Sequence, residues 1–541
     1  MEFNFDLGIE DQESFVRASR SFTLGDQLRK TARMHADRVA VSEPGLELTY
    51  AELNERSDRL ANALRERGHA PNDSTIAVLS ENRGETVTLA FACAKLGCLL
   101  ATLNWRLERE ELVYCAELPD PDTLVVSSRF TDRASWLSNA DLDPLVVGYD
   151  GDGDVSYDGL VEEGTATDPV PDGRVDPEQG FVALNTSGTT GLPKGVVVSH
   201  RSILSRVAQI TIDYGLERGD SYPAWGPMFH PGGLTWIGVT VALGGTFYPI
   251  DGFDPDRILD VLLAADEHIS WLFLIPGVVD DLVDRAEERG VGPADVVEIR
   301  SIGALPDMIE PDSIRRVTER FDAPFQNTYG AAEDGHVASG NKIPVGVAPD
   351  EETFAKYESP LVAVKLIDED WIDIEGRGEM AVRGPTLCSG YINNSDANEE
   401  DFRDGWFRTG DIFEHHSDGT YSFRSRRKYL VKPGGENVYP AEIEDVVVEH
   451  DAVEAAIVVK ANDPDWGEVP RLVVATDDDV TPERLRDEMM NALDNRLARY
   501  KLPHYVKLVE PDRLDRSATG KIVRTEVEEW PIDDDERVRR V

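Results

Sequence analysis

The sequence predicts an α/β protein, with a large N-terminal domain of mostly parallel, helix-covered β-sheets and a small α+β C-terminal domain. Apolar strand-like runs alternate with amphipathic helical patterns over most of the 541 residues, which is typical of such sheets. The length allows more than one domain, and the 41% hydrophobic content fits a globular chain. The composition changes near 424–436, where a basic cluster precedes a shorter α+β pattern.

The first clear helix is predicted at 48–68. Thr49 and Glu52 have the spacing of a capping box, and Gly68 stands where a helix would stop. The apolar segment STIAVLS at 74–80 follows as a strand. A helix followed directly by a buried strand is the repeating unit that the fold class requires.

The middle of the chain continues this alternation. A connection rich in Asp, Gly and Pro is predicted to run over the surface at 150–180. The apolar stretch 233–250 contains Gly and Thr and is predicted to be a buried core segment rather than a membrane span. Amphipathic helices are predicted at 256–267 and 277–290, with a strand at 271–276 between them.

The C-terminal region begins with the basic cluster RSRRK at 424–428. It is either a solvated turn or a basic element that faces a phosphate or a ribose at a domain junction, and the residues alone leave both interpretations open. The segments 440–463 and 483–500 then have helical and strand-like patterns, which predict a small α+β domain.

Composition limits the partners and the compartment. The formal net charge is −48, from 103 acidic and 55 basic residues. Such a charge is tolerated when counterions screen it, so we expect a high-salt cytoplasm and a halophilic source, and no nucleic-acid partner. The four cysteines form no C-x-x-C pair and are predicted to be reduced and buried. The acidic N-terminus lacks the pattern of a secretory signal.

A Gly-rich loop, TSGTTGLPKG at 186–195, has the composition of a phosphate-binding loop. A Walker A loop that began at Gly188 would need Gly at 193 and Ser or Thr after the lysine. The chain has Pro193 there, and Gly195 follows Lys194. The Walker interpretation therefore fails on spacing.

The same loop can still bind phosphate in another way. The flanking segments 181–185 and 195–200 both read as strands, so the loop is predicted to join two strands without a helix N-terminus under the phosphates. Small residues let backbone N–H groups approach phosphate oxygens, and hydroxyl groups and Lys194 add donors and charge. The full string is too particular for a surface turn without a ligand.

The segment TSGTTGLPKGVVVSH resembles the phosphate-binding loop of the adenylate-forming superfamily, which includes acyl-CoA synthetases, peptide-synthetase adenylation domains and firefly-type luciferases. Other segments resemble the motifs of this superfamily and occur in its order, over roughly residues 22 to 525. They are PMFHPGGL (227–234), SIGALP (301–306), NTYGAAED (327–334), GRGEMAVRGPTLCSGY (376–391), DGWFRTGD (404–411), RRKYLVKPGGENVYPAEIE (426–444) and DRSATGKIVR (515–524).

The resemblance implies a two-step ligase that uses ATP, Mg²⁺ and coenzyme A. It implies an N-terminal domain at 1–426 that binds ATP and the acyl group and has a β-barrel-like part. It also implies a mobile C-terminal domain at 427–541 that carries the catalytic lysine. The expected partners are small molecules, in a cytoplasmic protein without a transmembrane segment; the oligomeric state stays open, with a homodimer as one option.

The resemblance assigns residues to ATP. The implied ATP- and AMP-binding residues are Thr186, Ser187, Gly188, Thr189, Thr190, Gly191, Lys194, Gly303, Ala304, Tyr329, Asp411 and Arg426. Among them, Asp411 would take both ribose hydroxyls, because an ionised carboxylate offers two acceptor oxygens. Tyr329 would lie on adenine, with Gly303 and Ala304 on its other side, and Lys194 would assist at the β- and γ-phosphates.

The resemblance also assigns catalytic residues and a hinge. Lys521 would bridge the carboxylate and the α-phosphate, Glu333 would bind the magnesium ion, and His230 would position the acyl group. Lys428 corresponds to the hinge about which the C-terminal domain rotates between the two steps. Rotation would withdraw Lys521 and bring the segment KPGGE at 432–436 to the site, where Gly434 and Gly435 leave room for the pantetheine arm.

Three residues depart from the superfamily pattern. Ala332 replaces a Thr whose hydroxyl would reach a phosphate, so we expect slower adenylation than in an Ala332→Thr variant, measured by pyrophosphate exchange. Tyr429 stands where an acidic residue is common, which weakens the hinge assignment. Asp515 replaces a frequent Pro before the catalytic loop.

The acyl substrate is predicted to be a medium- or long-chain fatty acid. His230, Pro231 and Gly232 stand where an amino-acid-activating domain places an Asp, so an α-amino acid would lose water from its ammonium group without gaining a partner. The segment from Gly232 to Leu243 is small and apolar, which suits an alkyl or aryl tail. The alternatives are a ligase that loads a carrier protein and a non-enzymatic AMP-binding regulator.

Overall fold

The N-terminal part of the chain is organised around an eight-stranded sheet in a computed structural model of the protein. The structure describes residues 15, 20–138, 140, 142–169, 175–186, 193–275, 278–303, 309–350, 352–427, 429–476, 481–514, 522, 524–533 and 536–538. The helices of the described residues, N-terminal and C-terminal parts together, are α1 (Leu24–Met34), α2 (Tyr50–Glu66), α3 (Gly84–Leu96), α4 (Arg109–Glu117), α5 (Thr131–Ser138), α6 (Tyr157–Glu163), α7 (His200–Tyr214), α8 (Pro231–Leu243), α9 (Pro255–Ala264), α10 (Val279–Glu288), α11 (Pro311–Phe321), α12 (Ser395–Asp401), α13 (Pro440–Val448), α14 (Pro482–Asp494) and α15 (Arg524–Glu528).

The strands are numbered in the same way, in chain order. They are β1 (Val39–Glu43), β2 (Leu46–Thr49), β3 (Thr75–Leu79), β4 (Leu99–Thr102), β5 (Thr123–Val126), β6 (Leu145–Gly148), β7 (Val155–Ser156), β8 (Gly180–Thr186), β9 (Lys194–Ser199), β10 (Tyr222–Ala224), β11 (Phe247–Pro249), β12 (Leu272–Phe273), β13 (Ile302–Gly303), β14 (Thr328–Ala331), β15 (Gly335–Gly340), β16 (Lys356–Glu358), β17 (Ala363–Ile367), β18 (Arg377–Arg383), β19 (Gly390–Tyr391), β20 (Phe402–Arg403), β21 (Trp406–His415), β22 (Tyr421–Arg426), β23 (Ala455–Asp463), β24 (Gly467–Ala475) and β25 (Tyr505–Val509). Short 3₁₀ turns occupy Ser128–Phe130, Glu352–Phe354, Arg499–Lys501 and Pro511–Arg513.

The eight-stranded sheet has the order β19-β9-β8-β4-β3-β5-β6-β7. Strands β3 to β8 run parallel, whereas β8, β9 and β19 pair antiparallel. The predicted strand at 74–80 is β3, and the predicted helix before it is α2. Thr49 and Glu52 form the expected capping box at its start, with the Glu52 carboxylate accepting from the Thr49 N–H at 2.8 Å. These findings confirm the α/β prediction.

Two predictions for the middle of the chain have different outcomes. The connection predicted at 150–180 contains β7 and α6, because Ser156 caps this helix and Tyr157 and Leu160 bury one face of it. The surrounding Asp and Gly residues obscured that short apolar face in the sequence. The apolar stretch 233–250 is confirmed as a buried core segment, formed by α8 and β11. None of the helices in the described ranges is long and apolar enough to cross a membrane.

Further sheets complete the N-terminal part. The order β10-β11-β1-β2 forms a four-stranded sheet, and β12 pairs with β13 in parallel. The predicted helices at 256–267 and 277–290 are α9 and α10, and their apolar faces pack in one cluster with β12. A larger, antiparallel sheet has the order β14-β15-β16-β22-β21-β18-β17, with β20 paired to β21.

The C-terminal part has its own three-stranded sheet, β23-β24-β25, and its own core beneath α13 and α14. This arrangement agrees with the predicted small α+β domain. It also contacts the N-terminal part, because Ala498 is buried in the cluster formed by α4 and the adjoining strands. Lys501 Nζ lies 2.5 Å from Glu111 Oε1 on α4 and 3.1 Å from Glu442 Oε1 on α13. Lys432 and Glu436 of the segment after β22 thus face the same cavity as Asn104 after β4 and Thr186 at the end of β8.

Candidate active site

A cavity of about 360 Å³ lies between the two parts of the chain. Its wall includes the facing ends of β8 and β9, the loop after β14, the middle of β21 and the segment after β22. Among the residues that line it are Thr186, Lys194, His230, Ala332, Glu333, Tyr391, Asp401, Asp411, Lys432, Gly435 and Glu436. The cavity thus collects residues that are far apart in the sequence.

The two segments that flank the Gly-rich loop are paired strands, as predicted, and their facing ends line the cavity. Thr186 ends β8 and pairs with Lys194 at the start of β9 in an antiparallel ladder. Ser187, Gly188, Thr189, Thr190 and Gly191 lie outside the described residues. Lys194 is mostly buried, and its Nζ lies 2.7 Å from Asp401 Oδ2 and 4.3 Å from the centre of the Tyr391 ring. The ammonium group of Lys194 is therefore held in place at the start of β9.

Glu333 lies in the loop between β14 and β15, beside that cation. Tyr391 donates a hydrogen bond to Glu333 Oε1 at 3.1 Å, and burial raises the pKa of the Glu333 carboxyl. The backbone of this loop is held by Arg206, whose buried side chain donates hydrogen bonds to the carbonyl oxygens of Ala332 and Glu333 at 2.9 and 3.2 Å. Ala332 itself is buried and has no hydroxyl to offer.

The position of Glu333 fits the magnesium ion that the resemblance implies. Mg²⁺ is usually bound by one or two carboxylates together with substrate phosphates. Glu333 supplies one carboxylate at the wall of the cavity. The described part of the chain has no cluster of three or more His, Cys, Asp or Glu residues that could hold a metal ion. Glu333 together with phosphate oxygens therefore gives the donor set that suits this ion.

A second carboxyl next to Glu333 is fully buried. Asp334 Oδ1 accepts a hydrogen bond from the backbone N–H of Ala331 at 2.6 Å. Burial and the nearby charge of Glu333 raise the pKa of Asp334 to about 7. The positive charge of Arg206 favours the ionised form. The Asp334 carboxyl is therefore expected to ionise near neutral pH.

The predicted ribose and adenine residues lie close together on β14 and β21. Tyr329 donates a hydrogen bond to Asp411 Oδ2 at 2.7 Å, and its ring packs edge-on against Phe413 at 4.8 Å. Asp411 is 3% exposed, and burial raises the pKa of the Tyr329 hydroxyl well above its usual range. Asp411 also pairs with Arg426 in the β21–β22 ladder, although the Arg426 side chain lies outside what the structure describes.

Gly303 ends β13 at a point where a side chain would not fit. A Cβ atom there would lie 2.5 Å from the carbonyl oxygen of Gln326 and 3.3 Å from Trp271 Nε1. The next predicted residue, Ala304, lies outside the described residues. The close approach of the two backbone segments explains why glycine occupies position 303.

His230 is the N-cap residue just before α8 and faces the C-terminal part. Its Nε2 lies 3.1 Å from Glu436 Oε1, which also accepts from Arg106 Nη1 at 2.7 Å. Burial would raise the pKa of Glu436, but the charges of His230 and Arg106 outweigh it and lower the pKa to about 2. Glu436 is thus a stable carboxylate shared between two residues of the N-terminal part.

The predicted coenzyme A residues lie in the same segment as Glu436. Gly435 lines the cavity with φ +87°, and Gly434 has φ +56° and packs against the Trp466 ring. Lys428 and Lys521 lie outside the described residues, so their roles stay predictions.

Several residues at the site had no assigned role in the sequence analysis. Arg106 and Glu436 lie in segments that resemble the superfamily, but their pairing requires the contact between the two parts of the chain. Tyr391 ends the quoted segment 376–391, but no role followed from that segment, and Arg206 had no signal because a helical Arg is ordinarily structural. Asp401 ends an acidic helix, SDANEED, that reads as a solvated surface.

Comparison with known proteins assigns the chain to a family. Residues 28–392 match the family model described as AMP-binding enzyme, and residues 442–521 match the model described as AMP-binding enzyme C-terminal domain. The chain therefore belongs to the AMP-binding enzyme family.

Named relatives indicate the class of AMP-binding enzyme to which the chain is similar. The chain is 31% identical over 513 residues to an indoleacetate–CoA ligase of Aromatoleum aromaticum, covering 93% of this chain and 97% of the relative. It is 30% identical to a feruloyl-CoA synthase of an Amycolatopsis species, covering 94% and 99%. Its fold is similar to the structure of the amide bond synthetase McbA from Marinactinospora thermotolerans, with a TM-score of 0.80, 25% identity and coverage of 95% and 100%.

Together these matches define an enzyme of the AMP-forming acyl-CoA ligase class, which uses ATP, Mg²⁺ and coenzyme A. A non-enzymatic AMP-binding regulator is not supported.

Proposed function

We propose that this chain joins an aryl or arylalkyl carboxylic acid to coenzyme A in two steps. In the first, a carboxylate oxygen attacks the α-phosphorus of ATP and pyrophosphate leaves. In the second, the thiol of coenzyme A attacks the acyl carbon and AMP leaves. The observation that carries this proposal is that Lys194, Glu333 and Asp411 line one cavity together with Glu436 of the C-terminal part.

In the first step the chain must hold the polyanion and neutralise its charge. Thr186 and Lys194, with the loop residues 187–191, would bind the β- and γ-phosphates. Glu333 would hold the magnesium ion, which supplies charge neutralisation at the phosphates when bound. Asp411 would accept from the ribose hydroxyls and Tyr329 would lie on adenine, beside Gly303 and Ala304.

The remaining assignments rest on the resemblance alone. Lys521 would bridge the attacking carboxylate and the α-phosphate, and Arg426 would reach the ribose. Lys428 would act as the hinge of a C-terminal domain that begins at residue 427.

The orientation in the structure would suit the second step. Lys432, Gly435 and Glu436 line the cavity, and Glu436 contacts His230. We infer that this contact holds the C-terminal part in place while the thiol of coenzyme A enters past Gly434 and Gly435. His230 would then position the acyl group rather than act as a general base.

Two observations support an aryl substrate. The named relatives act on indoleacetate and ferulate, according to their names. Next to the start of α8, Gly232 is exposed with open space around its Cβ position. Further along, Trp236 stacks on Trp271 at 5.2 Å and on Tyr222 at 4.7 Å, and all three rings are buried. These rings belong to the core behind the cavity, and an acyl group that extended from His230 along α8 would meet them and pack better as a ring than as a long alkyl chain.

Medium- or long-chain fatty acids are the second candidate. The similarity of NWRLEREEL and PMFHPGGL to fatty acyl-CoA synthetases favours them, as does the apolar character of α8.

The net charge of −48 supports a further proposal, that the protein works in a high-salt cytoplasm.

The test is a pyrophosphate-exchange panel at several salt concentrations. It compares arylacetic, arylpropenoic and benzoic acids with medium- and long-chain fatty acids, and then adds coenzyme A, a carrier protein or an amine. We expect exchange with an aryl acid and AMP release that coenzyme A stimulates most. Preference for fatty acids would correct the substrate, and exchange with no acid at any salt concentration would refute the ligase proposal.

A further inference from the structure

Lys194 is already neutralised inside the cavity by a carboxylate of the chain itself. Its Nζ lies 2.7 Å from Asp401 Oδ2, and the two side chains are 9% and 13% exposed. The Tyr391 ring covers the ammonium group at 4.3 Å. This pair is therefore an almost buried ion pair at the place where the proposed function puts the β- and γ-phosphates.

The negative charge of Asp401 does not stabilise the helix to which it belongs. It is the last residue of α12, and a negative charge at a helix C-terminus opposes the helix macrodipole. The other acidic residues of this helix, Asp396, Glu399 and Glu400, are exposed, whereas Asp401 turns toward Lys194. Its placement is thus explained by the lysine and not by the helix.

The carboxylate also acts on its surroundings. The charge of Asp401 adds to burial in raising the pKa of Glu333. A phosphate oxygen bound to Lys194 would lie about 5 Å from Asp401, because each partner sits at hydrogen-bond distance from the ammonium group. At that distance, in this mostly buried site, two negative charges repel each other strongly.

We propose that Asp401 is a positioning residue that competes with the polyphosphate for Lys194. It orders the lysine before ATP binds and weakens its hold on the phosphates, so that pyrophosphate leaves readily after the first step. The inference rests on the proposed function of the cavity. It predicts that Asp401 affects ligands with β- and γ-phosphates and does not affect AMP.

The test is the isosteric substitution Asp401→Asn, with Glu399→Gln on the exposed face of α12 as the matched control. We expect the inhibition constant for pyrophosphate to fall about tenfold, as one fixed charge at about 5 Å would give after screening. The KM for ATP should fall as well, and turnover should become limited by pyrophosphate release. The inhibition constant for AMP should stay within about twofold, because AMP lacks both distal phosphates.

Further variants complete the test. Asp401→Glu should restore the wild-type inhibition constant for pyrophosphate, and Glu399→Gln should leave it unchanged. If Asp401→Asn does not fold, Asp401→Ser removes the same charge and should give the same shift. An unchanged or weaker affinity for pyrophosphate, or an equal shift for AMP, would overturn the inference. Wild-type protein that supports no exchange with any acid would instead refute the proposed function.

Discussion

The contact between Glu436 and the N-terminal part gives the sharpest prediction of this structure. Glu436→Gln removes the negative charge but keeps the size of the side chain and one acceptor oxygen. His230 and Arg106 would then lose the carboxylate that lies 3.1 and 2.7 Å away. Since both partners belong to the N-terminal part, the change should weaken the docking of the C-terminal part.

The magnitude follows from the pKa of this carboxyl. Its fall from the usual value of 4.5 to about 2 corresponds to about 3 kcal/mol in favour of the ionised form. Because the pKa is depressed in the docked state, this contribution is present above pH 4.5 and is lost as the pH falls toward 2. His230 and Arg106 are about one-third exposed, so solvent screening reduces the expected loss to about 2 kcal/mol, or about 30-fold in the docking equilibrium.

The assay separates the two steps. Pyrophosphate exchange measures the first, and single-turnover transfer from purified acyl-adenylate to coenzyme A measures the second. For Glu436→Gln we expect the second step to slow at least tenfold while exchange changes less than about threefold. Glu510→Gln, an exposed position in the C-terminal part, is the matched control and should change neither. Equal slowing of both steps, or no slowing of the second, would refute the reasoning.

Three other predictions concern stability. Lys501→Met should lower the free energy of unfolding by about 3–5 kcal/mol in chemical denaturation, because it leaves the carboxylates of Glu111 and Glu442 without their buried partner. Lys365→Met, at a more exposed ion pair, is the control and should lower it by less than about 1 kcal/mol. The pKa of Asp334 is raised to about 7, so the stability that its protonated form contributes is complete below about pH 4 and is lost as the pH rises to 7. Asp334→Asn should flatten that part of the profile of unfolding free energy against pH. An unchanged slope would contradict the assignment. Gly330→Ala should lower the free energy of unfolding by more than about 2 kcal/mol in thermal unfolding, because the added Cβ would lie 1.7 Å from the Gly335 carbonyl oxygen. A neutral effect would mean that strands β14 and β15 can separate enough to admit the methyl group.

Much of the fold could be predicted from local signals. The capping box at Thr49, the strand at 74–80 and the two strands around the Gly-rich loop are set by residues close in the chain. The short helix α6 was missed because its apolar face has few residues and lies between Asp- and Gly-rich segments. Local composition could not show that it packs on α2.

The site could be predicted only in part. Motifs indicated Lys194, Glu333 and Asp411, since each lies in a distinctive string. The pairs that surround them, Asp401 with Lys194 and Arg106 with Glu436, join positions 207 and 330 residues apart in the chain. Such pairs depend on how the sheets and the C-terminal part are arranged, and a single sequence does not record that arrangement.

The central claim is that a carboxylate oxygen attacks the α-phosphorus of ATP. It can be tested by incubating the protein with ATP, magnesium, coenzyme A and an aryl acid labelled with ¹⁸O in its carboxylate, and then measuring the mass of the products. We expect one ¹⁸O atom in the phosphate of AMP, unlabelled pyrophosphate and an acyl-CoA thioester. Label in inorganic phosphate, or ADP as the nucleotide product, would contradict it.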